Sequence, residues 1–342
     1  MKNKTTPTKD TRKMLYWPDE AVALTHDHIM SMQAAGGAWK AGIPLGINQI
    51  DEYVAPLLPG QLMTILGRPQ NFKSGMLEWI ARHTANWLRK ENPDGAFTDV
   101  VVFISTENLL EDTVINDLAS RSDLDPKDLS NGQVEDLSAL ARAEADLAGI
   151  PIFRVCNAMK AIDRYQPLYL TNVHRVLQLI DSKNINIRGI VLDYLQALPL
   201  DPEHRDSGTF QNRRLQVRDD IYRLRDMAAE FSCPVWVGVQ TRRGIDIKDN
   251  WYYPQMSDAE ESGAIEQRSS RMINLWMPKT QVPIGTEVSC SLFAGDFPPK
   301  VLVEENSIVI KVTKQQGRLP SGQTFIGSVD FKTGQTTITT SF

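Results

Sequence analysis

The run Gly67-Arg68-Pro69-Gln70-Asn71-Phe72-Lys73-Ser74 has the residue types and order of a phosphate-binding loop, and Gly75 continues it. Such a loop needs inward backbone N–H groups, a lysine for phosphate charge and a hydroxyl for magnesium. Gly67, Lys73 and Ser74 hold those places. The helical pattern that follows would add its positive N-terminal end. One position departs from G-x-x-x-x-G-K-[ST]: the second glycine is Phe72. A Cβ there makes a left-handed backbone cost about 1–2 kcal/mol. Three further polar groups end apolar runs. Asp193 closes IVLD, Glu107 follows VVVFIST, and Gln240 closes PVWVGVQ. Strand C-termini are where open α/β sheets bind ligands. Asp193 is therefore expected to hold magnesium opposite Ser74, although an aspartate there also caps turns. Glu107 is placed to polarise water for attack on a γ-phosphate, and Gln240 to sense that phosphate. Each alone is an ordinary loop residue; together they converge.

These groups need a scaffold of alternating strands and helices. Apolar strand-like runs occur at 61–66, 99–105, 151–155, 187–195, 234–240, 271–277 and 307–314. Helical patterns lie between them at 74–90, 109–121, 133–148, 168–183 and 211–231. This alternation predicts an α/β fold, a mostly parallel sheet covered by helices on both faces. The end of the chain, TFIGSVDF and TTITTSF, predicts an antiparallel hairpin turning at Lys332-Thr333-Gly334. Residues 1–18 read as a disordered tail. Residues 19–35 have helical spacing, with Asp19 as N-cap and Gly36-Gly37 as the stop. That helix docks either on its own domain or on a neighbour.

Composition narrows the class. The chain has 342 residues, 42% apolar and 23% charged, with a net charge of −5. This is an ordinary globular balance. It argues against nucleic-acid binding over the whole surface, but not against a local basic channel. Cys156, Cys233 and Cys290 form no CxxC pair, so a reduced, cytoplasmic setting is expected. The five histidines show no metal-ligand spacing. No segment has the pattern of a signal peptide or a membrane span.

Longer stretches add a family resemblance. GINQIDEYVAPLLPGQLMTILGRP, IVLDYLQAL and MSDAEESGAIEQRSSRMINLW are similar to segments of the C-terminal motor domain of DnaB-type replicative helicases, within the RecA-like group. The resemblance runs from about residue 42 to 335, without the family's N-terminal domain. It implies a RecA-like ATPase domain at 42–342 and a linker helix at 19–41 that packs on the adjacent subunit. It implies ATP and Mg2+ at the interfaces of a ring, usually of six subunits, with a phage or mobile-element setting. The roles implied are Lys73 on phosphate, Ser74 and Asp193 at the metal, Glu107 as base and Gln240 as sensor. A basic finger would come from the neighbour through Lys314 and Arg318. Where the family pattern reads KQRNGP, this chain has Gln316 at the usual arginine place and Arg318 two residues later.

The implied partner is single-stranded DNA, with a primase or loader as a further partner. Arg205, Arg213, Arg214, Arg242 and Arg243 would line the pore, with backbone N–H groups near Glu261 and Gly263. Glu260 stands where family members commonly carry an arginine, and a carboxylate repels phosphate. The arginines near 213 also read as a solvated helix face. The expected function is an ATP-driven ring translocase in DNA replication. The alternative is a nucleotide-binding ring scaffold or loader with weak or no hydrolysis. A recombinase-like filament fits less well, because of the linker-like helix and ESGAIEQ.

Overall fold

In the computed structural model the described residues are 16–34, 42–93, 97–157, 167–201, 213–241, 254–259, 262–289, 300–317 and 320–342. Eleven strands lie within them: β1 (Leu62–Gly67), β2 (Asp99–Ser105), β3 (Ile152–Val155), β4 (Asn186–Asp193), β5 (Val235–Gln240), β6 (Arg271–Trp276), β7 (Glu287–Ser289), β8 (Lys300–Leu302), β9 (Ser307–Gln315), β10 (Thr324–Val329) and β11 (Thr336–Ser341). The principal helices are α1 (Pro18–Ala34), α2 (Lys73–Glu91), α3 (Leu110–Ser122), α4 (Leu137–Ala148), α5 (Leu170–Asp181), α6 (Arg213–Glu230) and α7 (Ser262–Arg268).

β1 is buried along its whole length, as a strand covered on both faces must be. Its side chains alternate. Met63 and Ile65 join one core with Met76, Leu77, Ile80 and Ala81 of α2. Leu62 and Leu66 join the other, with α5 and α6. Thr64 is the polar exception, and its hydroxyl bonds Ser269 at 2.6 Å. Each such fully buried aliphatic side chain stabilises the fold by about 1.5–3 kcal/mol.

The sheet order is β11-β10-β9-β6-β1-β5-β4-β2-β3. β1 pairs in parallel with both β5 and β6, and β2 with β3 and β4. From β9 onward pairing is antiparallel. The fold is thus the RecA-like mostly parallel sheet with an antiparallel C-terminal extension that the sequence predicts.

Several boundaries differ. The helix predicted at 133–148 starts only at Leu137, as α4, and an unpredicted short helix, Pro126–Asn131, precedes it and ends at the left-handed Gly132. Asp125 and Asp136 cap the two helices, and these local side-chain bonds outcompete one continuous helix. The strand predicted at 187–195 ends at Asp193, where Leu195–Ala197 turns into a 3-10 helix. The β7–β8 hairpin is an addition that no sequence pattern predicts. α1 begins one residue before Asp19, and none of its residues is buried. Its predicted Gly36-Gly37 stop, and residues 1–15 of the predicted tail, lie outside the described residues.

Candidate nucleotide site

Register brings the predicted groups together. Gly67 ends β1 opposite Gln240 on β5, and Ser105 ends β2 opposite Asp193 on β4. The following residues cross-link these ends. Thr106 donates its N–H to the Asp193 carbonyl at 2.8 Å, and its hydroxyl accepts from Tyr194 N–H at 3.0 Å. Gln196 clamps Gln240, accepting from its N–H at 3.0 Å and donating to its carbonyl at 3.2 Å. A cavity of about 620 Å3 opens at this edge. Lys73, Ser74, Glu107, Tyr194 and Gln240 line it.

The loop itself is pinned. Asn71, only 1% exposed, accepts the Met277 N–H through its side-chain oxygen at 2.5 Å. Gln70 and Phe72 both have positive φ, 64° and 63°. Phe72 therefore adopts the left-handed backbone that the missing glycine would have supplied. Its ring folds back over Gly75, where any Cβ would sit 2.2 Å from the ring. The departure at Phe72 is accommodated by the absence of a side chain at Gly75. Gly67 likewise leaves room for the Lys73 stem, 3.1 Å from where a Cβ would be.

Lys73 donates to the Arg68 carbonyl at 2.8 Å. Burial pulls its pKa down to about 8, against the pull of Asp193 and Glu107. Asp193 is 1% exposed. Burial pushes its pKa up to about 6, while the Ser74 hydroxyl and Lys73 favour its charged form. Both its carboxylate oxygens are buried with no regular hydrogen-bond partner among the described residues. Gly238 makes room beside it for Leu77 and Tyr194, since a Cβ there would lie 2.8 Å from Leu77 Cδ1 and 3.2 Å from Tyr194 Cβ. Two orphaned carboxylate oxygens beside a serine hydroxyl fit a hydrated divalent cation.

The cavity is also lined by Phe72, Met277, Lys279, Thr280 and Phe331. Of these five, sequence reasoning names only Phe72, as part of the loop. Nor does it find Tyr194, Gln196 or the anchoring by Asn71. Tyr194 and Gln196 lie inside the YLQ that follows Asp193, so proximity to a strand end is an available signal; Phe331 carries none beyond its place in a turn.

The other predicted residues stand apart. Lys314, on β9, bonds the Glu266 carbonyl of α7. Gly263 is exposed in α7. Arg213 and Arg214 begin α6, but their side chains lie outside the described residues. Arg205, Arg242, Arg243, Glu260, Glu261 and Arg318 also lie outside the described residues.

A family model described as DnaB-like helicase C terminal domain matches residues 42–290. The chain is similar to the replicative DNA helicase DnaC of Bacillus subtilis (strain 168), 23% identical over 299 residues, covering 87% of this chain and 57% of that protein. In fold it resembles a solved ATPase domain of another protein, with a TM-score of 0.68 at 19% identity, covering 93% of this chain and 97% of that one. It also resembles a DnaB-like replicative helicase described with its interactions with primase, with a TM-score of 0.67 at 18% identity, covering 94% of this chain and 67% of that one. The chain spans little more than half the length of the first curated relatives it matches.

Proposed function

We propose, for a chain that belongs to the family of DnaB-like helicase C-terminal domains, that it is an ATP-driven ring translocase on single-stranded DNA in replication. The observation that carries this reading is the convergence of Lys73, Ser74, Glu107 and Gln240 on one cavity beside the buried Asp193, whose charged form Ser74 and Lys73 favour. Lys73 attracts the phosphates, and the loop N–H groups orient them. Ser74 and Asp193 would hold Mg2+, which when bound neutralises phosphate charge. Glu107 polarises the attacking water, and Gln240 bonds the γ-phosphate, transmitting its loss through Gln196 to the turn after β4.

In this reading six copies form a ring. α1 docks on the neighbour, which accounts for the exposure of Val22, Leu24, Ile29 and Met30 along it. Lys314 and Arg318 are the candidates for a finger reaching the neighbour's phosphate. DNA passes through a pore near Gly263 and the arginines Arg205, Arg213, Arg214, Arg242 and Arg243. A primase or a loader is the expected protein partner. A second reading, a nucleotide-binding scaffold or loader with weak hydrolysis, rests on the sequence departures: Phe72 in the loop, Glu260, and Gln316 at the usual arginine place.

The test is ATP turnover with and without single-stranded DNA, beside Lys73→Ala. Turnover stimulated by DNA and abolished in Lys73→Ala is expected. Nucleotide binding without turnover would select the scaffold. Equal nucleotide affinity in wild type and Lys73→Ala would overturn both readings.

A further inference from the structure

One turn beyond Ser74, α2 carries Glu78, and one turn further Arg82. Both meet Asp117 of α3 and Arg154 of β3 in a cluster whose four side chains are only 6% to 13% exposed. Arg82 donates to Asp117 at 2.9 Å, Arg154 pairs with the other oxygen of that carboxylate, and Glu78 lies 3.8 Å from Arg82. Asn116 donates to Glu78 at 3.1 Å. The second terminal nitrogen of Arg82 donates to the Thr333 carbonyl at 2.8 Å. That approach is open because residue 334 is glycine: a Cβ there would fall 2.7 Å from the nitrogen. Two carboxylates and two guanidiniums balance. The cavity beside them is about 10 Å3, room for one water at most, so the charges satisfy one another.

Stability alone is a poor reason for such a cluster. Each buried charge gives up its hydration, and apolar side chains of similar volume often hold a fold as well. Ion pairs add direction. A carboxylate held between two guanidiniums has one place to sit, whereas an apolar core repacks. The place fixed here is that of α3, which begins three residues after Glu107. The short segment between them is bonded at each end. Asn108 N–H donates to the Ser105 hydroxyl at 3.0 Å, and Thr113 N–H to the Leu109 carbonyl at 3.2 Å. A shift of α3 along α2 is therefore a shift of Glu107 relative to Lys73 and Ser74.

We propose that Arg82 and Asp117, held by Glu78 and Arg154, are positioning residues that align Glu107 with the phosphate loop. This rests on the reading of Glu107 as the base that activates water. One guanidinium joins the helix of the phosphate loop, the helix after the base and the turn between β10 and β11. Misplacing a reacting group by about 1 Å costs up to about a hundred-fold in rate.

The experiment compares wild type, Arg82→Lys and the apolar replacement Glu78→Leu/Arg82→Met/Asp117→Leu/Arg154→Met, each with and without Glu107→Gln. Urea midpoints, affinity for a fluorescent ATP analogue, and kcat and KM for ATP are measured on the full chain. The apolar variant is expected to unfold near the wild-type midpoint and bind the analogue within about three-fold of wild type, with kcat lower by about a hundred-fold. Arg82→Lys keeps the charge but not the fork, and should lose about ten-fold in kcat. In the Glu107→Gln background neither change should lower the residual kcat further, because groups that act through one step are not additive. A folded apolar variant with wild-type kcat would overturn the proposal. So would equal losses of affinity and kcat, or a kcat loss that persists undiminished without Glu107. Should the apolar variant not fold, Arg82→Lys decides by the same comparisons. Wild-type turnover in Glu107→Gln, or none in wild type, would remove the assigned base and this proposal with it; turnover that needs Glu107 but ignores the cluster removes the proposal alone.

Discussion

The parallel half of the sheet and its antiparallel extension meet where β6 pairs with β9, and the cavity draws on both sides of that seam. The parallel half contributes Lys73, Glu107, Asp193 and Gln240, each within two residues of a strand end or at the start of α2. The extension contributes Phe331, carried on the turn between β10 and β11 and held by α2 and α3. The first set is charged or amide-bearing and suited to phosphate chemistry. The second is aromatic and suited to a flat, apolar ligand surface. The architecture separates the two sets: parallel strands aim polar groups from their C-terminal ends, and an antiparallel turn adds an aromatic ring to the lining.

The largest effect that can test this division is on turnover. If the parallel half does the chemistry, Glu107→Gln should lower ATP turnover by about two to four orders of magnitude, the usual worth of a positioned base. Nucleotide affinity should stay near wild type, because an amide of the same shape leaves the loop intact. A rate within a few-fold of wild type would show that the base is elsewhere.

A smaller effect is on pH dependence. The raised pKa of Asp193, about 6, means that the carboxylate is protonated below that value and loses its hold on the cation. The lowered pKa of Lys73, about 8, means that its ammonium is lost above that value. In the free protein, therefore, kcat/KM should be greatest between about pH 6 and 8 and fall by up to about ten-fold per unit on either side.

What the sequence makes legible follows the same seam. Strand-terminal polar residues are readable because an apolar run ending in Asp or Gln places that side chain at a sheet edge without knowledge of the rest of the fold. Asp193, Glu107 and Gln240 come from that rule and Lys73 from the loop pattern, and the strands pair in a register that brings their ends together. Phe331 is far from them in sequence and reaches the cavity only because β9, β10 and β11 add to β6 in antiparallel order. No local pattern announces such a long-range closure. Asn71 is legible as part of the loop, but its bond to Met277 depends on the β1–β6 pairing. The role of Phe72 is readable only as a departure; its fit depends on Gly75 and on Phe331 together.

The smallest expected effect tests that fit. Gly75 lies in the first turn of α2, where alanine ordinarily stabilises a helix by up to about 1 kcal/mol over glycine. Here the added Cβ would fall 2.2 Å from Phe72 Cε2. The ring must then swing away, taking its edge off Phe331. Because the atom met belongs to a side chain that can move, the clash should cost about 1 kcal/mol, the low end of overpacking. Gly75→Ala is therefore expected to destabilise the wild-type chain slightly. Phe72→Gly removes the ring and suits the left-handed backbone, so in that background the same Gly75→Ala change should stabilise. A urea-denaturation cycle over the four proteins measures the coupling, expected at about 1–2 kcal/mol for residues in contact. Additive effects would mean that Phe72 and Gly75 are independent, and that the ring does not depend on the bare glycine beneath it to keep its edge against Phe331.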